Sequence, residues 1–241
     1  MDLKINEVYN IDCFEGMQAM KEQGITADWC ITDPPYGIGE CGKKNHSRSN
    51  LAVAKKYTEK DWDNKRIPKK IFEQIFEVSK EQIIFGGNYY TDYLRPSSCW
   101  IVWDKLNGKS DFSDCELAWC SQRRGVRKIE YRWQGMLQGN MREKEVRIHP
   151  TQKPLPVISW IITKYTKEND LILDPFMGSF TTAVACHKLN RRYIGFELDK
   201  EYYELGTNRL KEVKRQITMF DQEKYDSVFD AASDAHWRSE E

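Results

Sequence analysis

The stretch Trp29-Cys30-Ile31-Thr32-Asp33-Pro34-Pro35-Tyr36 joins an apolar run to a rigid, polar turn. The apolar run predicts a buried strand, and the two prolines end it because they lack an N–H and fix φ. Asp33 and Tyr36 are therefore expected at the C-terminal end of a strand, where open α/β sheets bind ligands. A flat molecule with an NH2 group suits such a turn, since its ring can stack on Tyr36 and its amine can donate to Asp33 and to the Pro34 carbonyl. A simple strand-to-loop turn with a capping aspartate is the alternative.

The rest of the chain alternates short apolar runs, typical of buried strands, with amphipathic segments at helical spacing. Strands are predicted over 5–9, 29–32, 82–85, 99–103, 116–120, 171–173 and 192–196, and helices over 14–20, 68–78, 157–165, 181–189 and 199–214. This alternation predicts an α/β fold with a mostly parallel sheet. The length of 241 residues fits one domain of this class.

Three polar segments fall outside this pattern. Residues 37–66 are rich in glycine and basic side chains and lack clear periodicity, which is uncommon in a compact domain. They form either a lid that contacts phosphates or a solvated loop. Residues 122–148 are polar, basic and aromatic and predict an insert on the scaffold. The tail, residues 218–241, is acidic and is expected to be loosely ordered.

Net charge does not indicate a partner, because 37 Lys and Arg residues balance 37 Asp and Glu residues. The charges are unevenly distributed, however, with a basic middle and an acidic tail. The seven cysteines are scattered without a Cys-x-x-Cys pair, so reduced thiols and no metal site are expected. The N-terminus lacks a signal-peptide core and no apolar run approaches about 20 residues, so we expect a soluble, cytoplasmic protein without a membrane partner.

The segment from Leu171 to Glu197 indicates a nucleoside-binding unit. An apolar strand ends at Asp174, a tight turn at Gly178 lets a ligand approach, and the next strand ends at Glu197. A carboxylate at this spacing meets the ribose diol in nucleotide-binding α/β units. No Gly-Lys-Ser/Thr follows the turn, and Asp174 stands where it would repel a pyrophosphate. A positively charged nucleoside without phosphates, such as S-adenosylmethionine, fits; an ordinary βαβ unit with a capping aspartate is the alternative.

Three motifs in one order carry a family resemblance. They are Asp33-Pro34-Pro35-Tyr36, His149-Pro150-Thr151-Gln152-Lys153-Pro154, and the segment from Asp174 to Thr182. The chain resembles the DNA amino-methyltransferases that use S-adenosylmethionine, and the motif order resembles their permuted beta class. The resemblance spans residues 5 to 210. It implies the class I methyltransferase fold, which is Rossmann-like, with a mostly parallel sheet, helices on both faces and a small insert.

The resemblance also implies roles for individual residues. The catalytic motif would consist of Asp33, Pro34, Pro35 and Tyr36. The residues that would bind the methyl donor are Asp12, Cys13, Thr151, Lys153, Asp174, Phe176, Gly178, Ser179 and Glu197. Within this set, Asp12 and Cys13 match the adenine position, Glu197 the ribose position, and Thr151 and Lys153 a segment that closes over the amino-acid end of the donor. Without the resemblance, Asp12 is best explained as a helix cap.

The implied molecule is a single methyltransferase domain over 1–241, with a target-recognition insert at 105–148. The implied partner is double-stranded DNA, bound by a monomer or homodimer in the bacterial cytoplasm or, if the protein is phage-encoded, in the host cytoplasm. The basic segment from Arg123 to Arg132 and the loop after Tyr36 would hold the DNA backbone. The short insert favours a short recognition sequence or loose specificity.

The implied reaction is methyl transfer to the N6 amine of an adenine flipped out of the duplex, without a metal. The lone pair of that amine is delocalised into the ring. Asp33 and the Pro34 carbonyl would each accept a hydrogen bond from one of its N–H groups and so localise the lone pair on the nitrogen. Tyr36 would stack on the base and align it with the donor. N4 methylation of cytosine follows the same logic, while Asp as the first motif residue favours adenine. Methylation of RNA or of a protein amide, and a DNA-binding homologue weakened in catalysis, are further alternatives.

Phe180 departs from the family pattern, which has glycine at this position. A bulky side chain there replaces a residue that permits close backbone approach, so it is expected to affect the affinity or pose of the donor. On this interpretation, Phe180→Gly keeps or raises donor affinity.

Overall fold

The computed structural model describes residues 1–39, 63–108, 113–134, 137–142 and 144–217. Most of the predicted lid and the whole acidic tail, 218–241, lie outside these residues.

The described chain contains ten strands and five α-helices. The strands are β1 (Glu7–Tyr9), β2 (Ala27–Thr32), β3 (Ser79–Phe85), β4 (Trp100–Asp104), β5 (Cys115–Cys120), β6 (Arg127–Glu130), β7 (Trp133–Gln134), β8 (Leu137–Gln138), β9 (Leu171–Asp174) and β10 (Arg192–Phe196). The helices are α1 (Cys13–Glu22), α2 (Lys69–Val78), α3 (Leu155–Tyr165), α4 (Thr181–Lys188) and α5 (Lys200–Ile217). A 3-10 turn at Gly87–Tyr89 follows β3.

Eight strands form one sheet in the order β1-β10-β9-β2-β3-β5-β4-β6. Only β5 among them is antiparallel to its neighbours; the other pairs are parallel. The prediction of a mostly parallel α/β sheet is therefore confirmed. The C-terminal ends of the parallel strands form one edge, here called the catalytic edge, and their N-terminal ends form the opposite edge.

Helices cover both faces of the sheet because β2 and its neighbours are apolar on both sides. One face packs Cys30 against Met17 and Met20 of α1 and Ile75 of α2. The other packs Ile31 and Ile172 against α3 and α4. Strands buried on both faces consist of nearly continuous apolar residues, which is why β2 and β9 are visible in the sequence.

The range 105–148 is not separate from the scaffold, because β5 and β6 within it are strands of the main sheet. The strand β6 was not predicted from the sequence. It lies at the sheet edge and buries only Ile129 among its four residues, so it shows no apolar run. The part of the range that projects beyond the sheet begins at Tyr131 and contains the hairpin β7–β8.

The arginines of the basic segment from Arg123 to Arg132 do not form one group beside Asp33. Cys120 pairs with Ile83 in the antiparallel β5, so Arg123 and Arg124, which follow it, lie near the edge opposite to the catalytic edge. The Ser98 hydroxyl donates to the Arg124 carbonyl there. The chain then returns along β6 and brings Arg132 to the catalytic edge.

Within the residues that the structure describes, no helix has the length and hydropathy needed to cross a membrane.

Candidate active site

Asp33 follows the last residue of β2, as predicted, and both of its carboxylate oxygens have partners. The Tyr36 hydroxyl donates to Oδ1, and the Lys153 ammonium donates to Oδ2. Burial raises the pKa of the Asp33 carboxyl above its usual value, while Lys153 acts in the opposite direction. The motif is thus more than a turn, since it holds a partly buried carboxylate beside a buried ammonium.

The ring of Tyr36 lies in an aromatic stack. It is nearly parallel to Tyr89, with ring centroids 4.8 Å apart and 14° between the planes. Gly86, at φ 63°, lies directly against the ring, and a Cβ built there would be 2.1 Å from Tyr36 Cε1. The Tyr90 hydroxyl donates to the Pro35 carbonyl. The turn after β3 therefore fixes the Pro-Pro-Tyr segment from the neighbouring strand.

Lys153 connects the catalytic motif to β5. Its ammonium lies 3.2 Å from Glu116 Oε2, and Glu116 Oε1 lies 2.6 Å from Lys105 Nζ. Burial opposes the charge on Lys153, but the carboxylates of Asp33 and Glu116 outweigh it and raise the pKa of the ammonium. The Lys153 ammonium is thus directed to Asp33, whereas the resemblance implied a role at the amino-acid end of the donor.

Asp174 ends β9, next to β2, and is buried. The Thr32 hydroxyl donates to Oδ1 at 2.7 Å, the Thr182 hydroxyl to Oδ2 at 2.6 Å, and the Phe176 N–H to Oδ1 at 3.1 Å. Burial raises the pKa of Asp174 to about 6 despite these donors. The carboxylate is therefore fixed in orientation by side chains from β2 and α4.

Glu197 follows β10 and holds the turn after β9. The Gly178 N–H donates to Glu197 Oε2 at 2.7 Å, and the Asp199 N–H donates to Oε1 at 2.8 Å. Burial raises the pKa of Glu197 to about 7. Gly178 has φ 51°, a left-handed conformation that glycine adopts without strain. Asp174 and Glu197 thus lie at the ends of neighbouring strands, as predicted, with the turn at Gly178 between them in the chain.

Asp12 is the N-cap of α1, and its side chain accepts from the Phe14 N–H at 2.8 Å. Together with Cys13 it also lines the cavity described next. Burial, and then the charge of Asp12, raises the pKa of the Cys13 thiol to about 12. The cap and the contact with a ligand are thus compatible in one residue.

A cavity of about 870 Å³ opens at the catalytic edge and brings most of the predicted residues together. The predicted site residues that line it are Asp12, Cys13, Asp33, Pro35, Thr151, Lys153, Asp174, Phe176, Gly178, Ser179 and Glu197. Pro34 and Tyr36 are not among the lining residues; Pro34 is buried and Tyr36 lies in its stack. The wall between the motifs includes Ile31, Thr32 and Phe85.

Two hydroxyl residues of the predicted set are tied to the cavity wall by short-range contacts. The Thr151 hydroxyl lies 3.2 Å from His149 Nδ1. The Ser179 hydroxyl lies 3.0 Å from that of Thr181, which also donates to the Lys153 carbonyl at 3.2 Å. These contacts join the His-Pro-Thr-Gln-Lys-Pro segment to the start of α4.

Phe180 does not line the cavity, which corrects the expectation that its bulk affects the donor directly. It is the N-cap of α4 at φ 61° and is buried. Its ring meets Tyr203 edge-on at 5.9 Å and lies against Gly206, where a Cβ would be 2.2 Å from the ring. The side chain thus packs on α5 and not in the cavity.

Five further residues at the site were not predicted as site residues. They are Thr32, Tyr90, Lys105, Glu116 and Thr182. Thr182 belongs to a motif already recognised, and Thr32 directly precedes Asp33, so both had a local signal. Glu116 and Lys105 had none, because their proximity to Lys153 depends on the register of β4 and β5, in which Trp103 pairs with Glu116.

The arrangement has two chemical halves. At Asp33, a carboxylate at the end of β2 can accept hydrogen bonds from an amine. At Asp174 and Glu197, a buried and a partly buried carboxylate favour a ligand with hydroxyl donors and positive charge. No group of three or more His, Cys, Asp or Glu side chains that could hold a metal occurs within the described ranges.

Comparison with known proteins identifies the family. Residues 42–208, more than half of the chain, match the N6/N4 methyltransferase family described as DNA methylase. The type II methyltransferase M2.LlaDCHI of Lactococcus lactis subsp. cremoris is 26% identical over 240 residues, covering 83% of this chain and 87% of the relative.

Solved structures show the same fold. The M1.HpyAVI–SAM complex matches with a TM-score of 0.54 and 22% identity, covering 85% of this chain and 98% of that one. The PvuII DNA methyltransferase, described as cytosine-N4-specific, matches with a TM-score of 0.53 and 14% identity, covering 88% and 92%. The extent of the family match and the three motifs around one cavity lead to one conclusion: this chain belongs to the DNA methylase family of N6/N4 amino-methyltransferases.

Proposed function

We propose that this protein transfers a methyl group from S-adenosylmethionine to the N6 amine of an adenine flipped out of double-stranded DNA. One observation carries the proposal: the cavity of about 870 Å³ holds an amine-accepting carboxylate, Asp33, together with the two carboxylates Asp174 and Glu197. Its size is suited to a ligand as large as a nucleoside with an amino-acid tail.

The donor half of the cavity supplies negative charge to a positively charged ligand. Glu197 would accept hydrogen bonds from the ribose hydroxyls, Asp12 and Cys13 would border the adenine, and Asp174, Phe176, Gly178 and Ser179 would border the methionine part. The raised pKa values of Asp174 and Glu197 follow from burial, so a bound sulfonium and ammonium favour ionisation of both groups. Binding of the donor thus compensates negative charge whose burial is otherwise costly.

The acceptor half localises the lone pair of the amine. Asp33 accepts a hydrogen bond from one N–H of the amine, and the Pro34 carbonyl accepts one from the other N–H. These two hydrogen bonds move the nitrogen towards tetrahedral geometry. The Tyr36–Tyr89 stack provides a fixed aromatic surface for the extruded base. Catalysis then consists of positioning and of stabilising a nitrogen that gains positive charge, and Asp33 is adjacent to that charge.

Methyl incorporation tests the proposal directly. Wild-type protein is incubated with unmethylated duplex DNA and S-adenosylmethionine labelled in the methyl group, and the product nucleosides are separated. We expect label in N6-methyladenine. Label in N4-methylcytosine would establish the alternative target, and the absence of label from the DNA would refute the proposal.

The Asp33→Ala variant tests the role of the acceptor half. We expect methyl transfer to fall by at least about 100-fold, because the amine loses its charged acceptor, with donor affinity changed by less than about threefold. Calorimetry measures the affinity. Glu77→Gln, which alters an exposed ion pair between α2 and Lys21 of α1, is the matched control and should retain wild-type turnover. Turnover retained in Asp33→Ala contradicts the role assigned to this carboxylate.

A further inference from the structure

The Lys153 ammonium occupies the position at which an incoming amine would donate to Asp33. It donates to Oδ2, while the Tyr36 hydroxyl holds Oδ1. A second N–H donor at Oδ2 therefore competes with Lys153. Because methyl transfer makes the acceptor nitrogen positive, an ammonium on the same carboxylate also repels the product of the chemical step.

Lys153 cannot leave Asp33 by turning into water. Its side chain is 9% exposed, and it crosses the site beneath the Tyr36 and Phe85 rings, whose centroids are 5.8 and 5.2 Å from the ammonium. A buried ammonium without a carboxylate is costly. The second carboxylate within reach among the described residues is Glu116, with Oε2 at 3.2 Å.

Glu116 is held in a position where its carboxylate can pair with the Lys153 ammonium. It is held in β5 by its pairing with Trp103, and Lys105 fixes its other oxygen, Oε1, at 2.6 Å. It does not line the cavity, so it can act on the reaction through Lys153 without contacting donor or base. The cluster Lys105–Glu116–Lys153–Asp33 thus alternates in charge and places two carboxylates within 4 Å of one ammonium.

We propose that Glu116 is a positioning residue for methyl transfer, which holds the Lys153 ammonium away from Asp33 when the target amine binds. The inference rests on the proposed function, since it takes an amine as the acceptor. No proton is transferred in this exchange. Lys153 remains an ammonium, and an N–H of the target replaces an N–H of Lys153 as the donor to Asp33 Oδ2.

Removal of the Glu116 charge should leave Lys153 on Asp33. For Glu116→Gln we expect kcat to fall by at least about tenfold, with donor affinity within about twofold of wild type, because the affected interaction forms on the acceptor side. Glu116→Asp keeps the charge and should retain more turnover than Glu116→Gln. A fall in donor affinity in proportion to kcat would indicate a structural role instead and overturn the inference.

A double-variant cycle separates action through Lys153 from other effects. Lys153→Met removes the ammonium, so adding Glu116→Gln to it should change kcat by less than about twofold. Additive effects in the double variant contradict the inference. Glu77→Gln, combined with Lys153→Met, is the control for an unconnected carboxylate.

A measurement on the protein without substrate keeps this inference separate from the proposed function. The titration of the Asp33 carboxyl, followed by carbon-13 NMR, should move to lower pH in Glu116→Gln, because a repelling charge is removed, and to higher pH in Lys153→Met. The charged and titratable groups that face Asp33 are Tyr36, Tyr90, Lys153, Glu116 and Asp174. Unchanged titration in both variants overturns the inference. If both titration shifts occur but the protein methylates no DNA, the result contradicts the proposed function and supports the coupling of the three charges.

Discussion

Phe180 occupies a left-handed backbone position that glycine adopts without strain, and its ring fills space that Gly206 leaves open on α5. A backbone cost and a packing gain therefore oppose each other at one residue. A left-handed conformation costs a residue with a Cβ about 1–2 kcal/mol, whereas removing a buried phenylalanine side chain costs about 3–5 kcal/mol. Packing outweighs strain, so the large side chain stabilises the fold.

Phe180→Gly should accordingly lower the free energy of unfolding by about 1–4 kcal/mol, measured by urea denaturation. Asn190→Gly is the matched control, because Asn190 also has positive φ, at 56°, but an exposed side chain. It isolates the backbone contribution and should change stability by less than about 1 kcal/mol. A Phe180→Gly protein as stable as wild type would show that the packing against Gly206 only balances the backbone strain and does not outweigh it.

Single side chains at the site differ in how visible they are in the sequence. Asp33, Asp174 and Glu197 each follow an apolar run, and strand ends are recognisable from local pattern alone. Glu116 also begins an apolar run, but its partner Lys153 lies far along the chain. Such a pairing depends on sheet register, which no local pattern specifies.

At the level of elements, Glu145 and Arg209 join the hairpin region to the helices. Arg209 of α5 donates to Glu145 Oε2 at 2.9 Å and to the Ser179 carbonyl at 2.8 Å. Glu145 also accepts from the Leu155 N–H at the start of α3, while its own N–H donates to Gln138 of β8. One ion pair, with both side chains about 15% exposed, thus connects β8, α3, α5 and the loop that borders the proposed donor.

Removing one partner of this pair should be strongly destabilising. We expect Arg209→Met to lower the free energy of unfolding by about 3–5 kcal/mol, because it leaves a largely buried carboxylate without its counter-charge. Glu145→Gln should cost less than Arg209→Met, and the double variant less than the sum of both. Urea denaturation measures each.

The exposed pair Lys21–Glu77 provides the comparison. Its side chains are about half exposed, so Lys21→Met should cost less than about 1 kcal/mol. Equal destabilisation at the two pairs would contradict the importance given to burial here.

The predicted elements show where local sequence is sufficient. Central strands and amphipathic helices are found within a few residues of their predicted bounds, since burial on both faces leaves continuous apolar runs. The edge strand β6 is not predicted from the sequence, because Arg127, Lys128 and Glu130 are exposed and only Ile129 is buried. Its place in the sheet follows from pairing with β4, a tertiary interaction that overrides local composition.

For the molecule as a whole, the two edges of the sheet separate the basic residues into two groups. The six residues of β5 span about 20 Å, so Arg123 and Arg124 lie at that distance from the catalytic edge. Arg132 and Arg142 are exposed on the catalytic side, in and next to the hairpin region. A duplex that delivers a base to Asp33 meets the second group first.

Removal of charge in the two groups should therefore affect DNA binding unequally. For Arg132→Gln/Arg142→Gln we expect weaker binding and a slope of log affinity against log salt reduced by about 0.9 for each phosphate that the protein no longer neutralises. Arg123→Gln/Arg124→Gln removes the same charge from the opposite edge and should leave affinity within about twofold, measured by fluorescence anisotropy across a salt series. Equal effects in both variants would place the DNA differently.

The sheet order also determines when the molecule becomes complete during synthesis. β1 and β2 are made first but are not neighbours, because β10 and β9, the last of the described strands to be synthesised, lie between them. A nascent chain that has reached β6 holds two separate parts of a sheet, with β2 exposing an unpaired edge of the kind that recruits other chains. Asp174 and Glu197 arrive with the strands that close this gap. Closure of the sheet and assembly of the donor half of the cavity are therefore one event, and an unfinished chain has neither.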